Sequence, residues 1–120
     1  MAQYTFKPIF SYALNEAVKS LENAKYNMDT NLARIEGIKV QPSKVLYACR
    51  GFDITAEVEL NGRQFSCVHI YELNEGGDFA LEKSGVSYQD EGGEWQTEYT
   101  QSGTIIEMMK VLRRLAGITD

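Results

Sequence analysis

Phe52-Asp53-Ile54-Thr55-Ala56-Glu57-Val58-Glu59-Leu60-Asn61-Gly62-Arg63-Gln64-Phe65-Ser66-Cys67-Val68-His69-Ile70-Tyr71-Glu72-Leu73 is the stretch around which the chain is organised. Its first nine residues alternate apolar with polar. A strand projects successive side chains to opposite faces, so Phe52, Ile54, Ala56, Val58 and Leu60 share one face and Asp53, Thr55, Glu57 and Glu59 the other. Asn61-Gly62 supplies the two positive φ values of a type I′ turn, the strongest short hairpin signal. A two-residue loop fixes the register: Leu60 faces Arg63, Val58 faces Phe65, Ala56 faces Cys67, Ile54 faces His69 and Phe52 faces Tyr71. A slip by one residue would set Glu57 and Glu59 beside the apolar row, so the pairing is firm. The second face is polar near the turn (Glu57, Glu59, Gln64, Ser66) and carries Val68 and Ile70 farther along.

The flanking segments build outward from this hairpin. On the N-terminal side, Phe10, Leu14, Ala17, Leu21, Ala24, Met28, Leu32 and Ile35 recur at intervals of three and four, an apolar stripe on a helix. Tyr4 and Phe6 before it fit a short edge strand or an arm, with Pro8 or Ser11 at the helix start. Asp29 or Thr30 offers a cap for a second, shorter helix, so one long helix and two short ones both fit. Gly37 stops the helical pattern and Pro42 marks a loop. The stripe is expected to lie on the chain's own sheet; its near-heptad spacing also suits the seam of a homodimer.

Lys44 to Cys49 is apolar on both faces, as in a buried strand. Arg50-Gly51 fits either a tight turn or a bulge. Asn74 to Asp78 is a loop. Phe79 to Lys83 and Val86 to Gln89 read as one strand interrupted near Ser84-Gly85, Asp90 to Gly93 as a turn, and Glu94 to Thr100 as the last strand. Thr104 followed by Glu107 is a capping box opening a helix with Ile105, Met108, Met109, Leu112, Leu115 and Ala116 on its buried stripe, ended by Gly117. The expectation is one α+β domain over residues 1–120: an N-terminal helix or helix pair, a mostly antiparallel sheet of about 4–5 strands, and a C-terminal helix.

With 43% hydrophobic and 24% charged residues, the composition is that of a folded domain, not a disordered chain. The charge is uneven. Residues 51–103 hold eleven acidic residues against Arg63 and Lys83, a net of −9, whereas residues 1–50 carry +3 and residues 104–120 carry +1, leaving −5 for the chain. A field of this sign disfavours nucleic acid and anionic membranes and favours a basic protein partner. No apolar run is long enough to span a bilayer, and Met1 to Pro8 lacks signal-peptide zoning, so the cytoplasm is the expected location. Cys49 and Cys67, two strands apart, are expected as free, mostly buried thiols.

No residue pattern carries catalysis, a cofactor or a metal. His69 is the sole histidine; Cys67, two residues away on its face, gives the one nucleophile–base pairing on offer, and a buried histidine with one hydrogen bond is the preferred account. One His and two separated Cys cannot close a zinc site, and Asp90, Glu91 and Glu94 lack EF-hand spacing. Gly76-Gly77 and Gly92-Gly93 match no phosphate loop.

The leading functional expectation is a small acidic, non-enzymatic binding protein. Its most concrete form is an inhibitor or immunity-type antagonist of a basic, nucleic-acid-acting protein. Glu57, Glu59, Asp90, Glu91, Glu94 and Glu98 would be the contacts and Trp95 or Tyr99 an anchor. The alternative is a small-ligand (nucleotide-like) binder or sequestering protein, its pocket between sheet and helix or at a dimer seam, with Tyr88, Trp95, Arg113 and Arg114 as contacts. Against any ligand or partner role for the aromatics, Trp95 and Tyr99 are expected first as core residues beneath the final helix.

Overall fold

The computed structural model describes residues 19–100 and 104–118. The arm, the helix start and the stripe residues Phe10, Leu14 and Ala17 lie outside the described residues. Helix α1 occupies 19–32 and passes unbroken through Asp29 and Thr30, so neither opens a second helix. The polar residues there are accommodated rather than disruptive. Thr30 Oγ1 donates to the Tyr26 carbonyl (2.7 Å), Asn31 Nδ2 to the Asn27 carbonyl (2.8 Å), and the Asp29 carboxylate accepts from the backbone N–H and hydroxyl of Ser43. Ala24, Met28, Leu32 and, just beyond the helix, Ile35 are buried in the core, so the described part of the stripe is covered by the chain's own sheet.

The sheet is a meander, antiparallel throughout. Strands β1 (Lys39–Val40) and β2 (Lys44–Ala48) both run along one edge of β3 (Gly51–Leu60); β4 (Arg63–Leu73), β5 (Phe79–Gln89) and β6 (Trp95–Tyr99) follow in order. The β3–β4 register is the one the Asn-Gly turn imposes, from Leu60 opposite Arg63 to Phe52 opposite Tyr71. Asn61 (φ 53°) and Gly62 (φ 77°) take the left-handed conformations of that turn. Cys49-Arg50 is a tight turn, Ala48 pairing with Gly51, rather than a bulge.

Strand β5 is continuous through Ser84-Gly85, unlike the interrupted strand expected there. The irregularity lies two residues before Ser84. Ile70 pairs with Lys83 but Tyr71 with Leu81, which leaves Glu82 as the extra residue of a bulge. A bulge reverses the parity of a strand. Ser84, Val86 and Tyr88 face the core on one side of it, Phe79 and Leu81 on the other, and the acidic Glu82 is turned out. Phe79 thereby reaches Phe52 (centroids 5.2 Å apart), which also stacks on Tyr71 (5.0 Å).

Strand β2 is not buried. It forms the sheet edge beyond the helices, with Leu46 58% and Tyr47 80% exposed and Val45 alone half-buried. Cys49, at its end, is exposed too, whereas Cys67 is buried; both are free thiols. Alternation of apolar residues on both faces signals burial only if something covers both faces.

Helix α2 (Ile105–Leu115) lies on the same core, with Met108 and Leu112 fully buried and its axis over β5. Thr104 Oγ1 accepts from the Glu107 N–H at its start (3.2 Å). At its end the Gly117 N–H (φ 78°) reaches the Arg114 carbonyl and the Ile118 N–H the Arg113 carbonyl, a Schellman motif. The β3–β4 turn completes this cap: Asn61 Nδ2 donates to the Ala116 carbonyl (2.7 Å) and Arg63 Nη1 to the Leu115 carbonyl (2.6 Å). The guanidinium also complements the negative end of the helix dipole. The hairpin at the centre of the sequence thus docks the last helix. Among the described residues no helix is long and apolar enough to cross a membrane.

Candidate functional site

The helices sit on one face of the sheet, and among the described residues nothing covers the other. Pairing registers lay out that open face row by row. Lys39, Glu59 and Gln64 form the row nearest the hairpin turn, continued on the far strands by Gln89 and Trp95. Glu57, Ser66, Ser87 and Thr97 form the next, then Lys44, Thr55, Val68, Gly85 and Tyr99, then Leu46, Asp53, Ile70 and Lys83. The middle is low and of mixed polarity because Thr55, Ser66, Val68, Gly85, Ser87 and Thr97 are small. Its margins carry the large side chains.

Trp95 and Tyr99 belong to this open face, 55% and 49% exposed, and not to the core beneath α2 as expected first. The residues of β6 that face α2 are Gln96 and Glu98. Tyr99 is held flat rather than projecting. Its Cδ1 would lie 2.8 Å from a Cβ at Gly85, so the ring rests on bare backbone, and Lys83 Nζ stands 4.1 Å from its centroid. Ser87 and Thr97 hydroxyls are joined across the strands (2.8 Å).

The six candidate acidic contacts divide into three groups. Glu57 and Glu59 are on the open face, Glu59 paired with Lys39 (3.3 Å). Asp90, Glu91 and Glu94 are on the β5–β6 turn at the same end of the sheet as Asn61-Gly62. The Asp90 carboxylate is engaged there, accepting from the N–H groups of Gly92 and Glu94 (2.9 and 3.0 Å) and from Gln96 Nε2 (3.0 Å). Those bonds, that of Gln96 first, hold its pKa below the ordinary carboxylate range. Glu98 faces the helix side and is ion-paired with Arg114. Lys39, Lys44 and Lys83 interleave with Asp53, Glu57 and Glu59 on the open face, so the sheet surface is more nearly balanced than the −9 of its sequence segment implies.

The alternative ligand set does not converge. Tyr88 faces the core and Trp95 the open face, since Trp95 pairs with Gln89 and Gln96 with Tyr88. Arg114 is taken by Glu98, and Arg113 is half-buried on α2. A depression of about 210 Å³ does lie between α1 and the sheet, lined by Asn23, Asn27, Phe52, Tyr71 and Phe79 among others. A second hollow, about 320 Å³, runs along the β1–β3 edge by Lys39, Glu57, Glu59 and Gln64.

His69 is fully buried, opposite Ile54 and Ser84, and neither ring nitrogen has a hydrogen-bond partner among the described residues. The one hydrogen bond expected for it is not made: Ser84 Oγ is instead 2.8 Å from Thr100 Oγ1. Burial lowers the imidazole pKa to about 4 and pushes the Cys67 thiol up to about 12. A neutral, inaccessible thiol beside an imidazole that resists protonation is no nucleophile–base pair. Among the described residues no group of His, Cys, Asp or Glu is placed to hold a metal ion.

Sequence reasoning missed three features of the open face. Gly85 is the platform for Tyr99, Lys83 clamps its ring, and Asp53 lies between Leu46 and Ile70, where desolvation raises its pKa. The bulge at Glu82 is what sets Lys83 on this face, and the reversal of apolar parity between Leu81 and Val86 was its signal in the sequence. Comparison with family models, with curated proteins and with solved structures finds no significant match to the chain.

Proposed function

We propose that the chain is a non-enzymatic protein-binding module that engages a basic protein partner through the open face of its sheet. The observation that carries this reading is that Glu57, Glu59, Trp95 and Tyr99 emerge together on the one sheet face the described helices leave uncovered. Exposed aromatics at the margin of a flat surface are suited to anchor an interface, Tyr99 more so for being pre-positioned, and carboxylates beside them supply steering toward cationic groups. An inhibitor or immunity-type antagonist of a nucleic-acid-acting protein is the concrete form. The carboxylates would then take the places of phosphates in a cationic groove, with Glu91 and Glu94 of the adjacent turn as outlying contacts.

The test is affinity capture from extract of the source cells, comparing the wild type with Glu57→Lys/Glu59→Lys and with Trp95→Ala/Tyr99→Ala. The expected result is a discrete basic protein, bound stoichiometrically, released by salt and lost with both variants. Retention by both variants refutes the reading.

A second reading rests on the depression between α1 and the sheet. Phe52, Tyr71 and Phe79 offer aromatic walls and Asn23 and Asn27 an amide edge, a combination fit for a small planar ligand. It predicts thermal stabilisation by some member of a nucleotide and metabolite panel that is abolished by Asn27→Ala. No shift across the panel refutes it.

A further inference from the structure

The two edges of the sheet are unequal. The β1–β2 edge is guarded. Pro42 interrupts it, the pairing slips by one residue between Val40–Val58 and Lys44–Thr55, and lysines stand at Lys39 and Lys44. These are devices by which proteins prevent a sheet edge from pairing with another chain. The β6 edge has none of them. Trp95-Gln96-Thr97-Glu98-Tyr99 contains no proline, lysine or bulge, its single charge is neutralised by Arg114, and among the described residues no strand pairs with its outer side.

The backbone groups on that outer side can be named. Thr100 N–H donates to the Ser84 carbonyl and Asp90 N–H to the Glu94 carbonyl, which fixes the alternation of the β5–β6 ladder. Gln96 and Glu98 therefore bond inward to Tyr88 and Val86, and the N–H and C=O groups of Trp95, Thr97 and Tyr99 point outward. An antiparallel mate must use these three residues, and the stretch is self-complementary about its centre. A two-fold axis at Thr97 sets Thr97 against the second copy's Thr97, and Trp95 against the second copy's Tyr99 and the reverse. All of these are hydrogen-bonded positions. Both aromatic pairs then fall on the open face, directly opposite across strands, where such pairs add to the stability of a sheet. On the other face Gln96 meets the second copy's Glu98, so no carboxylate opposes another, and each Glu98 is ion-paired with Arg114 of its own chain.

The geometry points to β6 as a homodimer edge, joined antiparallel to a second copy of this chain about Thr97, so that the two sheets become one continuous sheet with one continuous open face. It rests on an edge that no described strand pairs with and on the symmetry of that edge, and not on the identity of any basic partner. The two are separable by salt. Each copy carries −5, so association of copies strengthens as salt screens their repulsion, whereas capture of a basic protein weakens.

The experiment is size-exclusion chromatography with light scattering on the full chain across protein concentration, at low and high salt. The expected result is a dimer mass favoured by concentration and by salt, reduced to monomer by Thr97→Pro. Proline removes the outward N–H of Thr97 and no bond of the β5–β6 backbone ladder. A wild type that stays monomeric, or a folded Thr97→Pro variant that stays dimeric, overturns the proposal. Thr97→Cys in a Cys49→Ser background serves if the proline variant does not fold. Mild oxidation should cross-link it, since residues opposite in such a pair stand about 5.5 Å apart at Cα. Gln96→Cys in the same background should not cross-link. Equal cross-linking of both, or of neither, refutes the register.

Discussion

Acid should destabilise this protein in a window set by one residue. His69 is fully buried with no hydrogen-bond partner among the described residues, and its pKa is lowered from 6.5 to about 4. The unfolded chain takes up the proton near pH 6.5 and the folded chain only near pH 4. Between those values the unfolded state binds more protons, so stability falls with falling pH, is intact above 6.5 and is fully forfeited below 4. Linkage gives a loss of about 2 kcal/mol at pH 5 and about 3 kcal/mol below pH 4. That is a large share of the roughly 6–15 kcal/mol expected for a domain of this size. Urea unfolding at pH 7.5, 6.5, 5.5 and 5.0 measures it in a range where most carboxylates stay ionised. His69→Leu should flatten the profile. It should also raise stability at pH 7.5 by about 1 kcal/mol, because two buried nitrogens lose no bonds when they are removed. A wild-type profile no steeper than that of His69→Leu, or an imidazole that titrates near 6.5 by NMR in the folded protein, would refute the reasoning.

Other perturbations test other joints of the fold. Arg63→Ala removes a charged donor from the Leu115 carbonyl and should cost about 1–2 kcal/mol, with hydrogen exchange quickening first in the last turn of α2; uniform exchange would argue against a local cap. Gly51→Ala places a Cβ 1.9 Å from the Tyr71 carbonyl oxygen, a clash with backbone that should cost several kcal/mol or prevent folding, whereas Gly62→Ala meets no neighbour and suffers only from its positive φ; comparable melting of the wild type and Gly51→Ala would refute the β3–β4 geometry at that point. A thiol reagent should label Cys49 alone in the native protein and Cys67 only after unfolding. Labelling of two thiols at native pH would show the Cys67 site to be open.

Much of the fold was legible because its signals are local. The period-two pattern with Asn61-Gly62 fixed the central hairpin to the residue, since a two-residue loop leaves no freedom of register. The Thr104 cap, the apolar stripe and Gly117 likewise marked α2 from chemistry within a few residues. Where a pattern had two readings, it failed. Val45, Leu46 and Tyr47 are apolar on both faces of β2, yet the strand is an exposed edge. Ser84-Gly85 resembles a break, yet Ser84 is buried against Thr100 and Gly85 is the bed of the Tyr99 ring.

What the chain order alone determined is the C-terminal helix, the central hairpin with its apolar side, and the antiparallel succession of the longer strands; the short β1 strand (Lys39–Val40) and the β5 bulge were not read from it. The features it determined follow from backbone periodicity and turn stereochemistry, which neighbouring residues decide between themselves. What only the tertiary structure decided is which apolar surfaces are covered. The described helices occupy one face of the sheet, so Trp95 and Tyr99 stand exposed while His69 is buried with no hydrogen-bond partner among the described residues. Burial is a property of what packs on a residue from a distant part of the chain, and no local period records it.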